Sequence, residues 1–287
     1  MKFFFLVLLL LSTLQAAKVE FEVLGSGGPE LDGRASTSYL LWIDGKARLI
    51  VDMGSGSMLR FEESNARLET LQAVVLTHLH IDHSVDLPAF TKAGFFSSRT
   101  QSLDIIAPTG NEYFPSTDVF LESLFGKNGA YRYMQDVLTS QSDSFELIPY
   151  NISTTTTKFY KSFKLTLYRV HHGIVPALAL RVDIDGKSIM ISGDTNDADK
   201  TLTTLAKGVN LFVAHHAVPQ TAKGYATELH MRPSTIAKIA KEAGVKKILL
   251  THRMKRTIGL ETETLNEIKK VFKREVVFAE DRMKIEL

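Results

Sequence analysis

Thr77-His78-Leu79-His80-Ile81-Asp82-His83 follows directly on the apolar run Ala73-Val74-Val75-Leu76. A short apolar run bounded by polar residues reads as a buried strand, so four ionisable side chains ride on the loop that leaves it. Imidazole nitrogen and carboxylate oxygen suit Zn²⁺ and related divalent ions at about 2.0–2.2 Å, and four such groups in so tight a loop exceed what one tetrahedral ion accepts. Two ions are implied. Ionisable groups clustered without such a role carry a burial cost that nothing offsets.

Working outward, the remaining histidines are His171, His172, His215, His216, His230 and His252. All but His230, which lies in a polar loop, sit at or just beyond the end of an apolar strand-like run. Such runs are expected at Val19 to Leu24, Tyr39 to Ile43, Ala47 to Val51, Ala73 to Leu76, Leu103 to Ala107, Phe163 to Val170, Ala177 to Val182, Ser188 to Ser192, Leu211 to Ala214 and Lys246 to Leu250. Asp44-Gly45 reads as a hairpin turn, and Gly25-Ser26-Gly27-Gly28-Pro29 as a turn too, since it lacks dinucleotide-loop spacing and Pro29 removes a backbone donor. Helices are expected at Ser234 to Ala243, opened by Pro233 and stopped by Gly244, at Glu261 to Arg274 and at Lys200 to Leu205. Strands interspersed with helices, and hairpins at both ends, favour an α/β protein of two packed sheets with outer helices. Ser97 to Thr157, rich in Ser, Thr, Asn, Gly and aromatics, reads as an insertion or lid, with helices near Val119 to Phe125 and Tyr131 to Leu138.

The motif His-x-His-x-Asp-His resembles the signature of the metallo-β-lactamase superfamily. The partners follow in the expected order: Asp52-Met53-Gly54 is similar to the family's aspartate-glycine turn, His172 in His171-His172-Gly173 to its third-motif histidine, Asp194 in Gly193-Asp194-Thr195 to its bridging aspartate, and His252 in Thr251-His252 to its last ligand. The resemblance implies an αββα sandwich of two mixed β-sheets flanked by helices, and a pair of metal ions, two zinc with Mn or Fe as alternatives. His78, His80 and His172 would hold one ion and Asp82, His83 and His252 the other, with Asp194 bridging. His171 competes with His172, but His172 directly precedes Gly173, as the family's ligand commonly does. His215 and His216 read as wall groups behind the ligands. Leu229-His230-Met231-Arg232-Pro233 is similar to the segment in which related esterases place a proton donor, so His230 is the candidate general acid.

Two ions sharing a hydroxide make hydrolysis the expected reaction, with Asp82 and His230 as the catalytic groups. Asp194 and the lack of cysteine set the chain apart from β-lactamases, and Gly173-Ile174-Val175-Pro176-Ala177 looks closer to the ribonuclease Z, arylsulfatase and phosphodiesterase branch. Ribonuclease Z proteins carry a tRNA-gripping arm between the third-motif histidine and the bridging aspartate, whereas Gly173 to Gly193 leave room here for two strands and a turn. A small anionic ester, phosphodiester or sulfate, is therefore the expected substrate, with no stable nucleic-acid partner. Arg253, Lys255 and Arg256, with Arg232 near His230, form a basic cluster suited to grip it. The alternatives are a ribonuclease Z-like nuclease, a β-lactamase- or lactonase-like hydrolase, and a metal-binding protein without catalysis.

The bulk properties of the 287-residue chain agree. It has 34 basic and 32 acidic residues for a formal net charge of +2, which sets up no global field toward nucleic acid or an anionic membrane. Cysteine is absent, so disulfides, thiolate ligands and cysteine nucleophiles are excluded. Met1-Lys2, the apolar run Phe3 to Leu11 and the small-residue end Gln15-Ala16-Ala17 read as a signal peptide over residues 1–17, the run being short of the ~20 residues that span a bilayer. The mature hydrolase domain is then 18–287, periplasmic or secreted, free of the membrane after cleavage and compatible with a homodimer.

Overall fold

A computed structural model describes residues 16–139 and 144–287; the expected leader lies, up to Gln15, outside them. Fourteen strands are found among the described residues. The first sheet contains β1 (Val19–Gly25), β2 (Ser38–Ile43), β3 (Lys46–Val51), β4 (Ala73–Val75), β5 (Leu103–Pro108) and β6 (Leu147–Ile152). The second contains β7 (Thr156–Phe159), β8 (Lys164–Val170), β9 (Ala177–Ile184), β10 (Lys187–Ile191), β11 (Leu211–His215), β12 (Lys247–Thr251) and β13 (Glu275–Phe278), and β14 (Lys284–Glu286) returns to the first sheet. Their orders are β14-β1-β2-β3-β4-β5-β6 and β13-β12-β11-β10-β9-β8-β7. Each sheet joins an antiparallel half to a parallel half.

Alternation along the strands builds the layers. On β2, Tyr39, Leu41 and Ile43 face the space between the sheets, where Phe21, Leu167, Leu180 and Val213 also lie. Leu40 and Trp42 point the other way, onto α1 (Ser57–Glu63), α3 (Leu87–Gly94) and α4 (Thr117–Phe125) through Phe61, Phe90, Leu121 and Phe125. On β12, Leu249 faces inward while Ile248 and Leu250 pack on α7 (Pro233–Glu242) and α8 (Glu261–Lys269) through Ile236, Ala240 and Ile268. The short α2 (Ile81–Ser84), α5 (Leu202–Leu205) and α6 (Ala226–Leu229) complete the helices. The result is the expected helix-sheet-sheet-helix sandwich.

The stretch Ser97 to Thr157 supplies β5, β6 and α4, which belong to the first sheet and its outer core. Pro149 sits within β6, which a sheet-edge strand tolerates because one row of its backbone groups needs no partner. The expected helix Tyr131 to Leu138 is a pair of 3-10 turns broken at Met134 (φ −110°, ψ 18°). Helix α8 stops at Lys269, short of Arg274, because the chain turns there to bury Phe272 and enter β13.

Because β8 and β10 flank the antiparallel β9, they run in the same direction, as do the parallel strands β10, β11 and β12. The carboxyl ends of β8, β10, β11 and β12 thus share one rim, and those of β3 and β4 share the rim of the facing sheet. The residues just beyond these ends are Asp52, His78 to His83, His172, Asp194, His215 and His252.

Candidate metal centre

The loop after β4 is pinned from below. Asp52 follows β3 in the left-handed region (φ 62°), and its carboxylate accepts the Thr77 N–H at 2.6 Å, the Thr77 hydroxyl at 2.9 Å and His83 Nδ1 at 2.8 Å. Gly54 is required beneath this loop, since a Cβ there would lie 2.1 Å from the Asp82 carbonyl oxygen. The Met53 N–H donates to the His83 carbonyl at 2.7 Å, and His83 is left with Nε2 facing the cluster.

The described residues form four groups of three close donors, two of which bring Asp194 together with His78 and His83 and with His215 and His252, and the other two are the expected sets. His78, His80 and His172 bring one donor atom each within 4.8 Å of one another, and Asp82, His83 and His252 do the same. Asp194 lies between them. Its Oδ2 is 3.9 Å from His78 Nε2, 3.8 Å from His83 Nε2, 3.8 Å from His172 Nε2 and 3.4 Å from His252 Nε2. His172 is buried, with Nδ1 donating to the Leu229 carbonyl at 3.0 Å so that Nε2 faces the cluster. His171 is half-buried and outside it. His252 occupies the left-handed region (φ 50°), a strained conformation for a side chain of this size that functional sites commonly retain. Its ring rests against Gly28, where a Cβ would come within 3.0 Å of the imidazole, so the glycine-rich turn makes room for this ring.

The donors fit metal ions by what they lack. His83 Nε2, His172 Nε2 and both ring nitrogens of His252 are buried with no hydrogen-bond partner, a cost that stands unless something else binds them. The charges agree with that role. Burial opposes ionisation of Asp194, but His252, His230 and the His215 hydrogen bond hold its carboxyl well below the usual range. Burial likewise opposes ionisation of Asp82, which His83 and His252 nevertheless hold down at about 2. Burial, with the neighbouring His83, keeps His78 well below the ordinary histidine value. Burial, with His172, lowers His80 as well. Ionised carboxylates and neutral imidazoles are the forms that bind metal. His83 and His252 move the other way: burial pushes them down, but Asp52 and Asp82 lift His83 to about 9, and Asp194 with Asp82 raises His252.

Around the donors stand groups of other kinds. His230, between α6 and α7, is 8% exposed and places Nδ1, without a hydrogen-bond partner, 3.8 Å from Asp194 Oδ2; burial first, then His252, His172 and Arg256, push it down to about 3. His215 lies behind Asp194, with Nδ1 2.7 Å from Oδ1. His216 faces away, with Nε2 3.3 Å from Thr264 Oγ1 on α8. The expected basic cluster does not form as a grip. Arg253 is buried, paired with Glu261 and stacked 4.6 Å above the Phe278 ring, and Arg232 donates twice to the Ala222 carbonyl. Lys255 is exposed beside Asp32 and Glu280, whereas Arg256, exposed and anchored by Nε to the Ala217 carbonyl at 2.6 Å, is the one felt at His230. Phe114, whose ring is 5.9 Å from that of His80, carried no sequence signal, and nor did Tyr39, which touches His215. Asp52 was legible as part of a turn but not as the group that orients His83.

The chain matches the family model of the metallo-beta-lactamase superfamily over residues 31–229. It is 27% identical over 284 residues to a ribonuclease Z of Mycobacterium sp. (strain KMS), covering 94% of this chain and 96% of that one. Among solved structures, the metallo-beta-lactamase fold protein YhfI from Bacillus subtilis superposes with a TM-score of 0.74 at 24% identity, covering 94% of this chain and 100% of that one. The short form of human tRNase Z gives 0.69 at 21% identity, covering 93% and 98%. Such distant structural likenesses speak to the fold, whereas the family model spans more than half of the chain, including six of the seven donors, from His78 to Asp194. The chain belongs to the metallo-beta-lactamase superfamily.

Proposed function

We propose that the chain is an exported hydrolase of small phosphodiester or sulfate esters that works with two metal ions, zinc by preference, and uses His230 to protonate the leaving group. At the coarser level it is a metal-dependent hydrolase of its superfamily, acting on ester bonds. The observation that carries the finer reading is the place of Asp194 Oδ2, 3.4 to 3.9 Å from the nitrogens of histidines that come from both sheets. His78, His80 and His172 would hold one ion, Asp82, His83 and His252 the other, and Asp194 both.

When bound, the ions supply Lewis acidity to the attacked centre and lower the pKa of water toward neutrality. The protein's own groups supply the rest. Asp82, ionised at any working pH, accepts a hydrogen bond from the attacking water and orients it. His230 is neutral at rest because it is buried. A bound anionic ester beside it favours the protonated ring, so that in the complex its proton lies at the leaving oxygen. Arg256 is the cation placed to meet the anion.

Between His172 and Asp194 the chain has only β9, the turn at Asp185-Gly186 and β10, which supports a small substrate over a folded RNA, as does the net charge of +2. A ribonuclease Z-like activity is the second reading, favoured by the Mycobacterium relative. Metal-loaded protein is to be assayed against bis(p-nitrophenyl) phosphate, p-nitrophenyl sulfate and a precursor tRNA. Turnover of either small ester without cleavage of the RNA is expected, and RNA cleavage with both esters inert would replace the first reading by the second.

A further inference from the structure

We infer that Tyr39 is a positioning residue for the metal centre: its hydroxyl, reaching from one sheet to the other, holds the His215 ring where Nδ1 meets Asp194 Oδ1, and so leaves Oδ2 facing the ligand histidines. The inference rests on the reading of Asp194 as a metal ligand.

Tyr39 lies on β2 in the first sheet and is fully buried, its ring stacked on Phe21 at 5.4 Å between centroids. A phenol buried in an apolar layer needs a partner for its hydroxyl. On the second sheet it meets His215 Nε2 at 2.9 Å, at the end of β11, and Thr251 Oγ1 at 3.2 Å, at the end of β12, and Thr37, just before β2, is a further hydrogen-bonding neighbour. His215 in turn places Nδ1 2.7 Å from Asp194 Oδ1. The chain Thr251, Tyr39, His215, Asp194 thus crosses the sandwich and starts one residue from the ligand His252.

A carboxylate only accepts, so His215 Nδ1 carries the hydrogen directed at Asp194. Nε2, on the far side of the same ring, meets the Tyr39 hydroxyl at 2.9 Å. The Tyr39 hydroxyl also donates to Thr251 Oγ1 at 3.2 Å, which ties the ring contact to the end of β12. Without the Tyr39 hydroxyl, Nε2 loses its partner, the ring is free to tilt, and Nδ1 no longer holds Asp194 Oδ1 in place. With it, Oδ1 is occupied and Oδ2 is left for the centre. The role of such outer partners is to orient ligands and raise their basicity.

Tyr39→Phe retains the ring and its stack on Phe21. Zinc affinity, measured by competition with a chelator, is expected to fall ~10–100-fold, the usual effect of losing an outer partner, with a changed absorption spectrum of the Co²⁺-loaded protein. In a His215→Asn background, where the amide donates to Asp194 unaided, the Tyr39→Phe change should add nothing; contacts in series are not additive. Phe21→Leu, which loosens the same packing but keeps the hydroxyl, should bind zinc like the wild type. Wild-type affinity and spectrum in Tyr39→Phe, an equal loss in both His215 backgrounds, or an equal loss in Phe21→Leu would each overturn the inference. The ¹⁵N resonances of His215 in the unmutated protein read its contact with Asp194 directly: a proton on Nδ1 is expected, and an Nδ1 without one overturns the inference. If the wild type binds no zinc, the metal reading itself falls, a result distinct from any of these.

Discussion

His83 Nδ1 and Asp52 Oδ2 lie 2.8 Å apart, both fully buried, so the ring presents one nitrogen to the cluster and cannot rotate to present the other. Asp52→Asn keeps the shape and loses the charge that fixes this orientation. Metal affinity should drop ~10–100-fold, read by zinc competition, while the circular dichroism spectrum is retained. Unchanged affinity would show that His83 is not a ligand.

Asp194→Ala should do more. It removes the carboxylate that lies between the two donor groups, and would leave buried imidazoles without the charge that balances bound cations. Metal content after full loading is expected to fall from two equivalents to one or fewer, with ester turnover lost. Two retained equivalents would contradict the central place given to Asp194.

Metal removal should also destabilise the fold, because the donors come from both sheets and an ion that binds only the folded state contributes RT ln(1 + [L]/Kd), about 2.7 kcal/mol at a hundredfold excess over Kd. A thermal melt with and without chelator measures it. A melting temperature indifferent to chelation would mean that the donors hold no ion.

For His230→Ala, metal content should be unchanged while turnover of an alkyl ester slows ~10²–10⁴-fold. A p-nitrophenyl ester, whose leaving group needs no proton, should slow far less. Equal slowing of both would reassign His230 to a structural role.

Far from the centre, Glu22 is buried at 3% exposure and accepts from Trp42 Nε1 at 2.7 Å. Burial raises its pKa above the ordinary carboxyl value despite the Trp42 bond and the Lys284 charge. An acid with a raised folded-state pKa favours folding most when protonated, so its contribution is full below the unfolded value and is lost as pH rises through the folded one. Glu22→Gln should therefore stabilise the protein at pH 7 and give no gain at pH 4, as urea titrations at the two pH values would show.

Much of this was legible in the sequence because ligands must follow strands: Ala73 to Leu76, Leu211 to Ala214 and Lys246 to Leu250 are apolar runs ending in histidine, and each is a strand ending at the rim. The edge strands were not legible. β6 contains Pro149 and alternates exposure, and β13 and β14 are four and three residues long; such strands owe their pairing to the neighbour already in place rather than to their own pattern. The Arg253 cluster misled for a related reason. Adjacent charges look like one surface, but Arg253 follows His252 on a turn that sends it inward to Glu261 and Phe278, while Arg256 emerges. Roles that depend on contact across the sandwich, such as that of Tyr39, leave no local trace.

The division of donors between the sheets orders events in time. During synthesis the loop carrying His78, His80, Asp82 and His83 emerges first, and His252, at the end of β12, last of the seven. A growing chain therefore holds an incomplete set of donors until nearly the whole second sheet has been made and docked. Acquisition of the full complement of ions is a closing act, and a chain stalled before β12 is left with a half-built centre.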